Sequence, residues 1–424
     1  MPLSETLPGP APAERMSRVK ESPSSQVADR VRAFLAEGRK VLPLTIGEPD
    51  FDTPDHVKDA AVAAIRAGET KYTSANGTPA LQKAITSRLL RKTGQSYATD
   101  EICVGGGAKQ LIFLAFMATL DEGDEVIVPA PYWVSYPDMV SVNGGRPVIV
   151  GTTAGEGYKL TPDRLRAAIT ERTKWVVLNT PNNPTGAVYS EEELRGLTDV
   201  VRAHPHLSIL CDEIYDEINF GARPVPSAVT VAPDLRERVF LVNGVSKAYA
   251  MTGWRIGYGA GAARLCAALG TLQSQSSSCP SSVSQAAAVA ALDGGREFID
   301  RTVAIYTERR DLLVSGLDAI DGLRPAVPEG GFYVWTDASA LTGAVTPSGT
   351  RMTSDADLAE HFLETSGVVV ITGDSYGCPG HFRASFALSS DTIREAVAGL
   401  AHSVSLLRRW EITGPREALR GRQK

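Results

Sequence analysis

The sequence predicts an α/β protein, with a mostly parallel central sheet in a large domain and a smaller α+β domain beside it. Between about residues 60 and 300, short apolar runs alternate with amphipathic helical stretches, and four of these runs span 125–129, 175–179, 207–212 and 239–243. Continuous apolar runs of this length are typical of strands buried on both faces, and helices between them favour parallel pairing. After about residue 300 the order of elements changes, which predicts a second unit.

Local patterns predict the individual elements. The apolar run 111–120 is far shorter than the ~20 residues of a membrane span, so it predicts a buried helix. A helix over 190–203 opens with Ser190 and three glutamates. The second unit is predicted to hold helices over 297–319 and near 355–365, and apolar strands within 331–335, 368–371 and 382–388, with a surface loop over 338–353.

Changes in composition along the chain predict five segments. Residues 1–16 and 413–424 are predicted to be flexible tails, the second of them basic, because both lack an apolar period. The remaining boundaries are predicted at 17–57 for the N-terminal part of the small domain, 58–304 for the large domain and 305–412 for the C-terminal part of the small domain.

Charge and cysteine usage exclude several classes of function. The chain has 43 Lys and Arg against 49 Asp and Glu, a net charge of −6, which offers no basic surface for nucleic acid. Five scattered cysteines predict free thiols in a reducing compartment. The local pair His204 and His206 lies in a polar stretch, so no metal is predicted. Without a secretory segment or an apolar stretch of membrane length, we expect a cytoplasmic protein with no membrane partner.

Polar side chains follow the predicted strands where a parallel sheet binds its ligands, outside the carboxyl ends. Asn183 follows one run, Asp212 and Tyr215 the next, and Ser246 and Lys247 the last. Upstream, residues 105–109 precede the apolar helix with three glycines, a place where backbone N–H groups and the helix dipole hold phosphate. Together they supply a phosphate cup, a carboxylate, a phenol, an amide and a lysine, which is the set that pyridoxal phosphate (PLP) chemistry requires.

These motifs, in this order, resemble the signatures of class I/II aminotransferases of PLP fold type I. The residues that carry the resemblance are Asn-Pro-Thr-Gly at 183–186, Asp-Glu-Ile-Tyr at 212–215 and the stretch from Ser246 to Tyr258, with shorter matches at 47–51, 71–72, 131–133 and 382–383. The resemblance covers about 17–406 and is closest to the subgroup with bacterial aspartate/prephenate enzymes. It implies a PLP-dependent aminotransferase that moves an amino group between an L-amino acid such as aspartate or glutamate and a 2-oxo acid such as 2-oxoglutarate.

The resemblance also implies a role for each catalytic residue. Lys247 would bind PLP covalently and then move a proton between the substrate Cα and the cofactor C4′. Asp212 would pair with the pyridine nitrogen, although by spacing alone a helix N-cap fits it equally well. Asn183 and Tyr215 would bond the ring oxygen of the cofactor.

The remaining cofactor contacts and the substrate contacts are implied in the same way. Those at the cofactor are Gly107, Ala108, Lys109, Ser246 and Arg255 around the phosphate, Trp133 stacked on the ring, and Tyr72 reaching the phosphate of a neighbouring subunit, which implies a homodimer with shared active sites. Arg383 would grip the substrate α-carboxylate beside Gly47, with Trp133 and Asn183 nearby. For Lys109 two roles stay open, a second anchor for a distal carboxylate or neutralisation of the phosphate alone.

Three departures from the family pattern concern the phosphate cup and the substrate pocket. Gly244 stands where many relatives carry a hydroxyl residue, and we expect Ser246 to compensate. The segment 22–26 differs from the pattern of prephenate-accepting relatives, which argues against prephenate as a substrate. Phe386 and Ala286 replace residues that are often Tyr and Trp, so we expect a different pocket wall.

The sequence bears on three other functions. A PLP-dependent lyase or cyclase would keep Lys247, Asp212 and Asn183 and differ only on the substrate side, so it remains the alternative. The glycines at 257–261 have the wrong spacing for a dinucleotide fold and no acidic residue follows about 20 residues on, which excludes a dehydrogenase. A regulator built on this fold needs an added basic DNA-binding module, for which the start of the chain has no room.

Overall fold

A seven-stranded sheet forms the centre of the molecule. The computed structural model describes residues 10–19, 30–32 and 34–408. The sheet contains β2 (Ile102–Gly105), β3 (Glu125–Ala130), β4 (Arg146–Gly151), β5 (Thr173–Asn179), β6 (Ser208–Asp212), β7 (Val239–Gly244) and β8 (Gly257–Ala260). Their order is β2-β8-β7-β6-β5-β3-β4. Only β8 runs against its neighbours β2 and β7, so the prediction of a mostly parallel sheet is confirmed.

Helices pack around this sheet and connect its parallel strands. They are α1 (Asp55–Arg66), α2 (Pro79–Thr93), α3 (Ala108–Thr119), α4 (Ser135–Val142), α5 (Pro162–Ala168), α6 (Glu191–Ala203), α7 (Ala228–Val231), α8 (Ala263–Ser276) and α9 (Ser282–Asp293). Helix α6 begins as predicted, because the Ser190 hydroxyl accepts from the Glu193 N–H at 3.2 Å and the Glu193 carboxylate accepts from the Ser190 N–H at 2.7 Å. This reciprocal pair is a capping box.

Alternate residues of the central strands enter separate cores on the two faces of the sheet. In β6, Ile209 and Cys211 pack in one core and Leu210 in the other, and all three are fully buried. The continuous apolar runs in the sequence therefore mark strands covered on both faces, as predicted. The polar residues that follow those strands are left at one edge of the sheet.

A smaller unit follows the central sheet. It consists of α10 (Glu297–Asp318), β9 (Arg324–Pro325), β10 (Tyr333–Asp337), α11 (Asp355–Ser366), β11 (Val368–Val369), β12 (Ile371–Thr372), β13 (His381–Ser385) and α12 (Ser390–Ser405). Strands β12, β13, β10 and β9 form an antiparallel sheet, and β11 pairs in parallel with β1 (Leu42–Pro43). The β1–β11 pair brings the N-terminal segment to the C-terminal unit, in line with a small domain built from both ends of the chain. The domain boundaries themselves stay predictions.

Most of the two predicted tails lies outside the described residues, as does all of 413–424. A short 3-10 helix, Glu14–Arg18, crosses the predicted end of the first tail at residue 16. Arg18, just beyond that boundary, forms an ion pair with Glu122 at 3.0 Å. Among the residues that are described, no helix combines the length and the apolar character needed to cross a membrane.

Candidate active site

The carboxyl ends of β5, β6 and β7 open into a cavity of about 440 Å³, called here the active-site cavity. All of the predicted site residues except Gly107 and Tyr72 line it. They are Gly47, Ala108, Lys109, Trp133, Asn183, Asp212, Tyr215, Ser246, Lys247, Arg255 and Arg383. The large sheet, the small unit and the N-terminal segment before α1 therefore all contribute side chains to one space.

Asp212 is the last residue of β6 and its carboxylate is buried, with 4% of the residue exposed. Oδ2 accepts a hydrogen bond from the Tyr136 hydroxyl at 2.7 Å, and Oδ1 accepts from the Ile214 N–H at 3.2 Å. Burial raises the pKa of Asp212 to about 6, against the opposing effect of the Tyr136 hydrogen bond. Turns follow Asp212 instead of a helix, so it is not a helix N-cap. A cationic partner in the cavity would restore the ionised form.

Lys247 lies three residues beyond the end of β7. Its Nζ donates to the Gly47 carbonyl at 2.6 Å and lies 5.9 Å from the ring centroid of Tyr215. Burial, and then the positive charge of Arg383, lower the pKa of this amine to about 8. An ordinary lysine has a pKa near 10.4, so Lys247 has a far larger neutral, nucleophilic fraction at neutral pH.

The glycines before α3 form a cradle for an anion. Gly107 has φ +102, which favours glycine, and a Cβ built there would lie 2.5 Å from Nη2 of Arg255. Arg255 donates to the Gly106 carbonyl at 3.0 Å and to the Thr252 carbonyl at 2.9 Å. The first N–H groups of α3 have no partner within the helix. Backbone donors, the helix dipole and a guanidinium thus meet at a site that suits a phosphate.

A hydrogen bond joins Asn183, which follows β5 of the large sheet, to Arg383 on β13 of the small unit. The Asn183 Oδ1 accepts from Nη1 of Arg383 at 3.0 Å, which leaves its amide NH2 as a donor. Nη2 of Arg383 donates to the Thr45 carbonyl at 2.9 Å, whereas its buried Nε has no partner among the described residues. The guanidinium is therefore held in place with a donor still available for a carboxylate.

Lys109 lies on the first turn of α3, with Nζ 4.8 Å from the ring centroid of Trp133. Burial and the nearby charge of Arg255 lower the pKa of Lys109. Among the described residues that line the cavity, four side chains are cationic and one, Asp212, is a carboxylate. This surplus of positive charge favours anionic ligands.

Two predicted residues lie outside the cavity for different reasons. Gly107 forms the backbone of the cradle next to it, whereas Tyr72 is 88% exposed on the surface. Seven further residues line the cavity that the sequence did not predict as site residues: the polar Thr45, Tyr136, Asn179, Thr252 and Tyr333, and the apolar Ile112 and Ile214. Tyr136 follows Trp133 at the spacing of one helical turn, which was a usable signal. Tyr333 sits in an apolar strand, where nothing in the sequence distinguishes it from core.

The structure also explains the departures from the family pattern. A Cβ built at Gly244 would lie 2.9 Å from the Ile256 carbonyl oxygen, so the close approach of β7 and β8 excludes a hydroxyl side chain there. Ser246 does line the cavity. Neither Phe386 nor Ala286 lines it, because Phe386 packs 6.0 Å from Tyr306 in the core of the small unit and Ala286 lies on α9. The expected change of the pocket wall stays a prediction, and segment 22–26 lies outside the described residues.

Behind the cavity, six charged side chains form what we call the ion cluster: Arg88, Lys92, Glu213, Asp216, Glu217 and Arg296. Arg88 pairs with Asp216 at 2.8 Å and with Glu217 at 2.5 Å, and Lys92 pairs with Asp216 at 2.5 Å and also with Glu213. Arg296 completes the cluster by pairing with Glu217 at 2.7 Å. The cluster holds the far side of the segment 212–217, whose near side presents Asp212 and Tyr215 to the cavity.

The residues present fit PLP. The anion cradle suits its phosphate, the buried Asp212 carboxylate suits a protonated ring nitrogen, and the partly neutral Lys247 amine suits its aldehyde. The amide NH2 of Asn183 and the hydroxyl of Tyr215 are polar groups for the ring oxygen.

Comparisons with known proteins give the family. The family model for aminotransferase class I and II matches residues 39–400. An aspartate aminotransferase from Rhizobium meliloti is 48% identical over 91% of this chain and 94% of its own length. An aspartate/prephenate aminotransferase from Cereibacter sphaeroides is 46% identical over 91% of this chain and 96% of its own length.

Solved structures agree with the sequence relatives. The crystal structure of the Rhizobium meliloti aspartate aminotransferase superposes with a TM-score of 0.92, at 47% identity over 94% of this chain and all of that one. The Thermus thermophilus aspartate aminotransferase with maleate gives a TM-score of 0.86, at 39% identity over 93% of this chain and all of that one. With the motifs, the fold and the cavity all in agreement, this chain belongs to the class I and II aminotransferases and is a PLP-dependent transaminase.

Proposed function

We propose that this aminotransferase takes the amino group of an acidic L-amino acid, aspartate or glutamate, and passes it to a 2-oxo acid such as 2-oxoglutarate. The observation that carries the proposal is the surplus of cations in the active-site cavity, four against one carboxylate among its described lining residues. With Arg255 assigned to the phosphate of PLP and Lys247 to its aldehyde, Lys109 and Arg383 remain for two carboxylates of a substrate. The relatives named aspartate aminotransferase, and the one solved with the dicarboxylate maleate, support the same substrate class.

Arg383 is the proposed anchor of the α-carboxylate. Its guanidinium is fixed by Asn183 and by the Thr45 carbonyl, so little conformational entropy is lost when a carboxylate binds. Gly47 lines the same cavity and has no side chain that would obstruct the approach of a carboxylate. Asn183 and Trp133 complete the proposed contacts on this side of the cavity.

Lys109 is the proposed anchor of the distal carboxylate. Burial and the positive charge of Arg255 lower the pKa of Lys109, and no carboxylate of the described residues contacts its ammonium group. A substrate with a second carboxylate would supply the missing countercharge, whereas a neutral side chain would leave the ammonium unpaired. Neutralisation of the phosphate alone is the competing role for Lys109, and the two roles make different predictions for substrate selectivity.

The remaining residues are assigned to the chemistry. When bound, PLP supplies the electron sink for the electron pair released at the substrate Cα. Lys247 Nζ holds the cofactor at rest and takes the proton from Cα during the reaction. Asp212 keeps the ring nitrogen protonated, and Asn183 and Tyr215 bond the ring oxygen. Gly107, Ala108, Ser246 and Arg255 hold the phosphate, with Lys109 next to them on the same turn and Trp133 against the ring.

We also propose a homodimer with shared active sites. Tyr72 is 88% exposed and lies away from the cavity of its own chain, although it occupies the family position of the tyrosine that reaches the phosphate of the neighbouring subunit. Mixing Tyr72→Phe chains with inactive Lys247→Ala chains tests the sharing, since one of the two sites in the mixed dimer then lacks both groups and the other has both.

The substrate proposal is tested by comparing kcat/KM for aspartate, glutamate, alanine and phenylalanine in wild type and Lys109→Ala. We expect the variant to lose about 10-fold to 100-fold for the two acidic donors and little for the neutral ones, the scale of one buried charge-assisted hydrogen bond. Lys109→Arg serves as the matched control that keeps the charge.

Two results contradict the proposal. A wild-type enzyme that prefers the neutral donors removes the acidic substrate class. A Lys109→Ala variant that loses all four donors equally leaves Lys109 as a cofactor ligand. Formation of an amino acid from the added 2-oxo acid separates transamination from a lyase or cyclase reaction, and prephenate is offered as a further acceptor, with no activity expected.

A further inference from the structure

Tyr333 is a buried residue that contacts three parts of the active site. It is 1% exposed, begins β10 and lines the cavity. Its hydroxyl lies 3.0 Å from the hydroxyl of Tyr215, and the guanidinium carbon of Arg383 lies 4.1 Å from its ring centroid. A Cβ built at Gly47 would be 3.6 Å from the same hydroxyl, so Tyr333 also borders the backbone of Gly47, which lines the cavity.

The strand register explains how Tyr333 reaches Arg383. In the antiparallel pair of β10 and β13, Tyr333 lies opposite Ser385 and Trp335 lies opposite Arg383. Tyr333 is thus the diagonal neighbour of Arg383 on one face of the small sheet. Tyr215 comes from the turn after β6 in the large sheet. Tyr333 therefore links the proposed substrate anchor with the proposed cofactor phenol.

The role of Tyr215 decides which of the two phenols donates the hydrogen bond between them. Each phenol has one proton to donate. If Tyr215 donates its proton to the ring oxygen of the cofactor, its bond with Tyr333 is one in which Tyr333 donates. We propose that Tyr333 is a positioning residue that directs the Tyr215 proton towards the cofactor and supports Arg383 with its ring, an inference that rests on the proposed role of Tyr215.

The pair of phenols has several ionisable neighbours. Arg383 faces both phenols, Asp212 and Lys247 face Tyr215, and Tyr376 lies near Arg383 and Tyr333. A change from Tyr333 to Phe leaves all of them in place and removes one hydroxyl. Because hydrogen bonds in series polarise one another, Tyr215 then becomes a weaker donor. A ring oxygen with a weaker donor is less stable as an anion, so the pKa of the bound cofactor rises.

The test is a spectrophotometric pH titration of the lysine-bound cofactor in the resting holoenzyme. For Tyr333→Phe we expect an upward shift of about 0.5 to 1 pH unit, the scale of one hydrogen bond. KM for amino donors stays within about twofold, because the ring beneath Arg383 remains. Tyr333→Leu also removes the ring and raises KM for all donors by about 2-fold to 30-fold, the range of one cation–π contact.

Tyr306→Phe is the matched control. Tyr306 belongs to the same aromatic cluster, 5.8 Å from Phe332, but does not line the cavity. The cofactor bound to Tyr306→Phe should titrate as it does in wild type. A second, non-disruptive variant places 3-fluorotyrosine at position 333, where the more acidic phenol is a stronger donor and shifts the cofactor pKa downwards.

The outcomes separate this inference from the proposed function. If Tyr215→Phe titrates as wild type, the proposed role of Tyr215 is wrong and the inference fails with it. If Tyr215→Phe shifts the titration while Tyr333→Phe does not, only the role of Tyr333 is overturned. A shift of equal size in Tyr306→Phe, or no downward shift with 3-fluorotyrosine, overturns it as well.

Discussion

The two sides of segment 212–217 carry the same kinds of charged residue and use them in opposite ways. Towards the active-site cavity, Asp212 is the one carboxylate among the described lining residues, against four cations. Away from the cavity, Glu213, Asp216 and Glu217 meet three cations in the ion cluster. Matched charges hold the segment in place, whereas the unmatched charges are left for ligands. The balance of charge, more than burial, separates a structural group from a binding group here.

Lys92 in the ion cluster and Lys247 in the cavity show the same contrast between matched and unmatched charges. Burial lowers the pKa of Lys92, but the charges of Asp216 and Glu213 outweigh it and the pKa is raised. Burial also lowers the pKa of Lys247, and there Arg383 adds to the effect, so that the pKa falls to about 8. One lysine is thus a permanent cation and the other a partly neutral amine suited to covalent chemistry.

Replacing the reactive lysine should have the largest effect. Lys247→Ala removes the proposed attachment point and the proton acceptor, so we expect transamination to fall by about 10⁴-fold or more, the upper range of general acid–base catalysis. Borohydride reduction of wild type followed by peptide mapping checks the attachment. A label on a different lysine would contradict the assignment, and Lys92→Ala, which should keep the label on Lys247, serves as the control.

The next largest effect should be on stability. Lys92→Met leaves the buried carboxylate of Glu213 without a cationic partner among the described residues and leaves Asp216 paired with Arg88 alone. We therefore expect the free energy of unfolding to fall by about 3–5 kcal/mol. Lys109→Met, which removes a cation from the cavity side, should stay within about 0.5 kcal/mol of wild type. Urea unfolding of both proteins measures the difference.

The double variant Lys92→Met with Glu213→Gln provides the control for this prediction. It removes one charge of each sign from the ion cluster, so it should be more stable than Lys92→Met alone. Equal losses for Lys92→Met and Lys109→Met would show that the two lysines do not differ in the way described.

Asp212→Ala is expected to slow turnover, with an increase in activation free energy of about 2–5 kcal/mol, the usual result of removing one partner from a buried charge pair. The rate constant then falls by about 30-fold to 5,000-fold. Asp212→Glu keeps the charge and should retain more activity. Turnover near the wild-type rate in Asp212→Ala would remove the proposed pairing with the ring nitrogen.

The central sheet and most of the residues that line the active-site cavity were predictable from the sequence. Asp212 and Lys247 follow buried strands, and parallel strands bring such residues to one edge of a sheet. The glycines before α3 mark the anion cradle because a positive φ and the close approach of Arg255 both exclude a side chain at Gly107. Local patterns therefore locate groups that strand ends and tight turns position.

The remaining features depend on packing between distant elements. Arg88 and Lys92 look like solvent-exposed positions of α2, and only the approach of the segment after β6 buries them. Tyr333 reaches Tyr215 through the register of β10 with β13 and the position of the small unit against the large sheet. Likewise, Gly244 departs from the family pattern because of contact with β8, 13 residues further on, which its own neighbours in the sequence do not reveal.

The smallest expected effect concerns how the other cations of the cavity lower the pKa of Lys247. With a pKa of about 8, the neutral fraction of Lys247 in the apoenzyme rises about tenfold between pH 7 and pH 9 and then levels off. Since the neutral amine is the nucleophile, the rate of covalent PLP capture should rise in the same way. Arg383→Gln removes a cation that lowers this pKa, so the midpoint should move to higher pH, whereas Arg296→Gln in the ion cluster should leave it unchanged. Stopped-flow absorbance across this range measures the midpoint, and a midpoint that Arg383→Gln leaves in place would show that the cavity cations do not act on Lys247.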